Sequence, residues 1–114
     1  MTARHVLSAM AEDSLLQVAT PLGFTVRATR SYWELIVTHK HPVMRDRLAE
    51  VKLTLRGPCE IRRSRSDPTV HLFYRSDRPG RWTGVVAKRL DGEGFLVATY
   101  PADAIKEGER LWTK

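Results

Sequence analysis

The spacing of apolar residues in this chain of 114 residues changes at Gly57-Pro58. Before it, apolar side chains recur every three or four residues over 43–56, which predicts a helix. After it, apolar and polar residues alternate, which predicts strands. Turn sequences divide this second part into four strands, over 59–65, 69–75, 82–88 and 95–100. Short connections between consecutive strands favour antiparallel neighbours.

The first part of the chain predicts a helical layer for this sheet. Residues 3–19 have a weak helical pattern, and a strand is expected over 24–29. Ser31 and Glu34 have the spacing of a capping box at the start of a short helix. We therefore expect an α+β fold, in which N-terminal helices pack on one face of a four-stranded antiparallel sheet.

The length allows one domain, and we expect an N-terminal extension with a weak helix over 1–22 and a single α+β domain over 23–114. The final residues, 102–114, are expected to add a turn of helix and a frayed tail. No apolar run reaches the roughly 18 residues of a membrane span, so we expect no membrane association. The single cysteine excludes an intrachain disulfide and fits the reducing cytoplasm, where we expect this protein.

Positive charge is concentrated in the middle of the chain. The net charge is +6, and residues 62–81 carry six arginines, two aspartates and no lysine. Guanidinium groups bind phosphate through two hydrogen bonds and also stack on bases, so the cluster predicts binding of RNA or DNA. The alternative is a solvated arginine-rich surface. The expected RNA or phosphate ligands are Arg62, Arg63, Arg65, Arg75 and Arg81.

The sequence contains histidine, tyrosine and lysine side chains that can act as general acids or bases. It lacks the motifs of several other classes of enzyme. No Walker loop, dinucleotide-binding glycine pattern or nucleophile elbow occurs. His39 and His41 have no third ligand near them in the sequence, so we expect neither a metal nor a cofactor. RNA cleavage without a metal needs a base for the 2′-OH, an acid, and cations that neutralise the phosphorane. His41 suits the base, with a surface or capping histidine as the alternative. Tyrosine, arginine and lysine on the predicted strands suit the other roles.

Several short motifs of this sequence occur together in one group of proteins. They include Tyr32-Trp33-Glu34, Lys40-His41-Pro42, Ile61-Arg62-Arg63-Ser64, Leu72-Phe73-Tyr74-Arg75, Gly94-Phe95-Leu96-Val97-Ala98-Thr99-Tyr100-Pro101 and Ile105-Lys106. With these motifs, residues 24–112 resemble small bacterial proteins grouped with the barnase/EndoU/colicin/RelE-like (BECR) nuclease fold. The resemblance implies two helices followed by a four-stranded antiparallel sheet. It also implies metal-independent RNA cleavage, often by a toxin whose antitoxin is encoded beside it.

The same resemblance implies a set of site residues. The group has a histidine at a helix start, basic residues on the middle strands and a Thr-Tyr pair on the last strand. His39 and His71 compete with His41 for the base. The sequence thus predicts a metal-independent endoribonuclease with RNA and an antitoxin as partners, or alternatively a non-catalytic RNA-binding or protein-interaction module. The expected catalytic residues are His41, Tyr74, Lys88, Thr99 and Tyr100.

Overall fold

The described part of the protein is built on one mixed β-sheet. The computed structural model describes residues 14–106 and 108–114. These residues form seven strands in the spatial order β1-β2-β6-β5-β4-β3-β7. The strands are β1 Ser14–Ala19, β2 Thr25–Thr29, β3 Glu60–Arg63, β4 Val70–Arg78, β5 Arg81–Leu90, β6 Glu93–Ala102 and β7 Glu109–Thr113. The predicted fold, in which N-terminal helices cover a four-stranded antiparallel sheet, is therefore wrong.

The alternating pattern of the second half forms a meander in the middle of the sheet. From β3 to β6, each strand is the antiparallel neighbour of the next one along the chain. The register between β5 and β6 shifts between Val86 and Ala87, where β6 contains one extra residue, Val97. A bulge of this kind bends its strand and increases the local twist. It lies just before the part of β6 that carries Thr99 and Tyr100.

The two ends of the sheet come from segments with weak local signals. β1 and β2 form an antiparallel hairpin, and β7 adds to the far side of β3. The helix expected over 3–19 is wrong for residues 14–19, and residues 1–13 lie outside the described part. The helical turn expected within 102–114 is also wrong for Glu109–Thr113. Leucine, glutamine and alanine in β1 favour helices by propensity, but pairing with β2 and burial of alternate side chains outweigh that preference.

Short helical segments connect β2 to β3. They are α1 Arg30–Leu35, a π-helical turn Ile36–Lys40, a 3-10 turn Pro42–Met44 and α2 Leu48–Arg56. The cap of α1 is Thr29, whose hydroxyl accepts a hydrogen bond from the Tyr32 backbone N–H at 3.1 Å. The capping box expected at Ser31 is therefore wrong by two residues. The helix expected over 43–56 is divided, and its α-helical part begins at Leu48.

The helical segments lie on one face of the sheet. Trp33, Ile36 and Val51 pack there against Phe73 and Val85 in the main core. The opposite face carries a smaller apolar cluster, which the connection between β6 and β7 covers in part. We call this second face the open face, and define it by the register-paired residues Arg62, Leu72, Val86 and Ala98 together with Tyr74, Gly84 and Tyr100.

Candidate functional site

Two tyrosines meet on the open face although a strand lies between them. Tyr74 on β4 is paired with Gly84 on β5, and Gly84 is paired with Tyr100 on β6. Directly opposite residues of antiparallel strands share a face, so the three lie in one row. The two hydroxyl groups form a hydrogen bond of 3.3 Å. Glycine makes this possible, because a Cβ at position 84 would lie 3.1 Å from Cζ of Tyr100.

The environment of this pair fixes the protonation of Tyr100. Tyr74 is fully buried, and Tyr100 is half-buried. Burial, followed by the hydrogen bond to Tyr74, raises the pKa of Tyr100 far above its ordinary value of 10.0. The Tyr100 phenol therefore stays neutral near pH 7, where it can donate a hydrogen bond but cannot serve as a base.

The second half of β6 has a helical neighbour in place of a strand. β2 pairs with β6 only at Gly94 and Phe95. Beyond them, α1 and the π-helical turn that follows it lie beside the edge of β6. The Tyr32 hydroxyl of α1 donates a hydrogen bond to the Val97 carbonyl oxygen at 2.9 Å, and Lys40 Nζ at the end of the π-helical turn donates to the same oxygen at 3.4 Å. These bonds hold α1 and the turn against the bulged part of β6.

His41 ends this turn and lies beside Tyr100. Its backbone N–H donates to the Ile36 carbonyl at 2.9 Å, and its ring centroid is 5.8 Å from that of Tyr100. The two competing histidines lie elsewhere. His39 is exposed, and His71 is buried on the helix-covered face, 5.3 Å from the ring of Phe24. Burial lowers the pKa of His71, and the nearby charges of two arginines lower it further. His41 is thus the histidine next to the tyrosine pair.

Lys106 completes this group, and the sequence analysis did not select it as a site residue. Its backbone N–H donates to the Tyr74 hydroxyl at 3.3 Å. Its ammonium nitrogen lies 5.5 Å from the centroid of the Tyr100 ring, within the range of a cation–π contact. The connection between β6 and β7 brings it back over the open face. The available signal was a lysine within a few residues of the last predicted strand, in a segment with a negative net charge.

A cleft of about 380 Å³ opens next to Lys106. Its floor is apolar and its rim carries two cations and two serine hydroxyls, a combination suited to a ligand with an anionic part and a flat, less polar part. One of the cations is Arg65, which the sequence predicted as an RNA or phosphate ligand. The lining residues are Ser64, Arg65, Ser66, Val70, Leu72, Val86 and Lys106.

Arg62 also lies on the open face, but other protein groups hold its guanidinium. Its Nε donates to the Glu60 carboxylate, and Nη1 donates to the Gly108 carbonyl at 3.3 Å. Arg110 Nε donates to the same Glu60 oxygen at 3.4 Å. The Glu60 side chain is only 14% exposed, so the carboxylate offsets much of the positive charge here. Arg62 is a fixed support at the side of the cleft.

The remaining nominated arginines do not reach the cleft. Arg63 is paired in register with His71, which places it on the helix-covered face, and it forms an ion pair with Glu109 at 3.0 Å. Arg75 lies on the same face as His71, because both are odd-numbered residues of a regular stretch of β4. Arg81 is exposed at the start of β5, beside the turn from β4.

Lys88 and Thr99, two of the expected catalytic residues, lie in different surroundings. Lys88 lies on the open face and forms an ion pair of 3.8 Å with Asp67. Thr99 is fully buried, and its hydroxyl donates to the Gly84 carbonyl at 2.8 Å. A buried hydroxyl with a buried partner cannot touch a substrate. The Thr99 hydroxyl supports β5 behind the tyrosine row.

Within residues 14–106 and 108–114, no group of three or more potential ligand side chains could hold a metal ion. None of the helices in this described part is long and apolar enough to cross a membrane. No protein-family model, curated protein or solved structure matches this chain.

Proposed function

We propose that this protein is a metal-independent endoribonuclease whose reaction takes place beside Tyr100, next to the cleft of about 380 Å³ that Lys106 lines, which we call the open-face cleft. The observation that carries the proposal is the convergence of three groups on one phenol. The His41 ring, the Lys106 ammonium and the Tyr74 hydroxyl all lie against Tyr100. Cleavage by the RNA 2′-OH requires a base, an acid and groups that stabilise charge on the phosphoryl oxygens, and the His41 imidazole, the Lys106 ammonium and the neutral Tyr100 phenol are suited to these roles.

The reaction follows from these roles. The His41 imidazole removes the proton of the 2′-OH, and the 2′-oxygen forms a bond to the adjacent phosphorus. The bond from phosphorus to the 5′-oxygen breaks, and that oxygen takes a proton from the Lys106 ammonium. The products are a 2′,3′-cyclic phosphate and a free 5′-OH. Both side chains then regain their starting protonation from water.

The other groups of the site stabilise the charge that grows on the phosphoryl oxygens. The Tyr100 phenol is neutral at pH 7 and donates a hydrogen bond. Arg65 at the rim of the cleft binds the phosphate, and Tyr74 holds the Tyr100 hydroxyl in position. The resemblance of the short sequence motifs to those of BECR nucleases implies the same activity. We further propose a toxin-like ribonuclease of the cytoplasm that a cognate antitoxin protein restrains.

The test is RNA cleavage by the purified protein with and without EDTA, beside His41→Ala and the matched control His39→Ala. His39 is exposed and lies outside the tyrosine group. We expect fragments with 2′,3′-cyclic phosphate ends that EDTA does not suppress. Loss of the base should slow cleavage by about 10² to 10⁴-fold, while the His39 variant stays active. Equal cleavage by folded His41→Ala would refute the role of His41, and intact RNA in every reaction would refute the nuclease.

A non-catalytic RNA-binding module is the second candidate, and the cleft itself favours it. Two cations above an apolar floor bind RNA whether or not a proton is transferred. In this case affinity for RNA falls steeply with salt because counterions are released, and no product forms. The cleavage experiment separates the two candidates when a binding measurement accompanies it.

A further inference from the structure

A row of four residues crosses the open face away from the tyrosine pair. Arg27 on β2 is paired with Phe95 on β6, Phe95 with Lys88 on β5, and Lys88 with Val70 on β4. Paired residues share a face, so a cation, an aromatic ring, a second cation and an apolar residue follow one another at right angles to the strands. With about 4.8 Å between neighbouring strands, the row is roughly 14 Å long.

Phe95 is a large apolar side chain that is partly exposed to solvent. It is 39% exposed, and it does not belong to the main core or to the smaller apolar cluster of the open face. The preceding residue, Gly94, faces the core, where a Cβ would lie 2.7 Å from the Phe24 ring. Alternation therefore turns Phe95 outward. Among the described residues, its exposed ring stands between two positive charges, where a flat ligand can stack on it.

Both cations of the row are accessible. The side chains of Arg27 and Lys88 are 48% and 43% exposed. Each has an exposed carboxylate as its partner, Glu93 at 3.4 Å from Arg27 and Asp67 at 3.8 Å from Lys88. Ion pairs at this level of exposure contribute little energy. A phosphate can therefore compete for either cation.

A depression lies at each end of the row. At one end, Val70 forms part of the floor of the open-face cleft. At the other end, β2 and β6 separate after their short parallel contact and leave a hollow of about 240 Å³. Its lining residues are Arg27, Ala28, Thr29, Tyr32, Phe95 and Leu96. Phe95 thus stands between a second recess and the proposed reaction site.

We propose that this row binds the unpaired strand of the RNA substrate, with one base stacked on Phe95 and the flanking phosphates on Arg27 and Lys88. The inference rests on the proposed function and names its substrate class as single-stranded RNA. Alternating cations and aromatic faces are the pattern by which proteins bind single strands without reading their sequence. A duplex does not fit this pattern, because its base faces are already stacked on one another.

The experiment measures binding by fluorescence anisotropy at fixed salt. The probe is a short, labelled RNA with 2′-O-methyl groups throughout, which cannot be cleaved by its own 2′-OH, used as a single strand and as a duplex. The variants are Phe95→Ala, Phe95→Trp and the matched control Leu90→Ala, which truncates another exposed apolar side chain on the neighbouring strand. Urea unfolding of each variant verifies that it is folded.

We expect the wild type to bind the single strand more tightly than the duplex. Phe95→Ala should weaken binding of the single strand by about 5- to 100-fold, whereas Phe95→Trp and Leu90→Ala retain it. Equal affinity for both probes, or unchanged binding by Phe95→Ala, overturns the inference and leaves the exposed ring to a protein partner. Cleavage of natural RNA by the wild type is measured in parallel. Phe95-dependent binding without cleavage would refute the nuclease and retain the strand path.

Discussion

Tyr74 and Tyr100 share a hydrogen bond across a third strand because the residue between them, Gly84, has no side chain. The same absence lets the Tyr100 ring lie flat over β5, where Lys106 and His41 reach it. The candidate site therefore depends on one glycine as much as on its polar groups. This dependence can be tested directly.

Gly84→Ala should destabilise the protein by about 1 to 3 kcal/mol, because the added methyl group displaces the Tyr100 ring in a packed environment. Equilibrium urea unfolding gives this difference. Gly57→Ala is the control. A Cβ at position 57 would lie 3.8 Å from the nearest atom, the Leu53 carbonyl oxygen, and the backbone φ of −136° is one that alanine adopts. A Gly84 variant as stable as the control would contradict the packing described for the tyrosine row.

Tyr100 should make the protein sensitive to alkaline pH. Its pKa is raised in the folded state, so the folded protein retains a proton that the unfolded chain loses above its ordinary value of 10.0. The free energy of unfolding therefore falls as pH rises beyond that value. Unfolding curves at pH 9 and 11 should show a smaller loss for Tyr100→Phe than for the wild type. Tyr32→Phe removes a hydroxyl that contacts β6 from the helical side, and this variant should show the same decrease in the free energy of unfolding as the wild type.

His71 should produce the opposite dependence at mildly acidic pH. Its pKa is lowered by burial, so the unfolded chain binds a proton below pH 6.5 that the folded protein resists. Stability is then fully present above pH 6.5 and declines as pH falls, by up to about 1.4 kcal/mol per pH unit. Chemical unfolding at pH 7.5 and 5.5 measures the decline. His71→Gln should reduce it and His39→Gln should not. An unchanged decline in the His71 variant would assign the effect to other groups.

Thr99→Val should reduce stability without removing a group that touches RNA. The substitution leaves the buried Gly84 carbonyl without its side-chain donor at 2.8 Å, which costs about 1 to 3 kcal/mol. Cleavage per folded molecule should remain near the wild-type rate at a temperature where both proteins are folded. A fully folded but inactive Thr99→Val protein would restore the catalytic role that the sequence suggested for this residue.

Lys106 and Arg81 should respond differently in RNA binding. Lys106→Ala removes a cation from the cleft and should reduce the salt dependence of affinity by about one phosphate contact. Arg81→Ala changes a residue beside the turn between β4 and β5, and should leave both affinity and salt dependence unchanged. Titration of the non-cleavable RNA at several salt concentrations tests both. A larger effect at Arg81 would move the RNA site to that hairpin.

Local sequence patterns predicted the elements better than the arrangement of the sheet. The period of two located all four strands of the meander, and the resulting alternation put Tyr74 and Leu72 on one face of β4. Pairing of β2 with β6 depends on contacts between distant segments, and no local periodicity encodes them. β1 and β7 were missed because strands at the ends of a sheet take much of their stability from their neighbours.

The sequence likewise predicted some residues of the candidate site and missed others. His41 and the two tyrosines were selected for their chemistry, and the structure brings them together. Counting arginines was less informative, since alternation sends Arg63 to the helix-covered face. Lys106 was missed because a connection without regular structure carries it, and the path of such a segment cannot be read from spacing.

The contact between β2 and β6 has a consequence for how the protein is made. His41 precedes Tyr100 and Lys106 in the sequence, so it leaves the ribosome before them. A growing chain can form the hairpin β1–β2 and the helical segments, but it has no β6 for them to pack against. We therefore expect the three side chains to meet only after β6 and Lys106 have been synthesised. Until then, the nascent chain would lack the group of side chains to which we assign RNA cleavage.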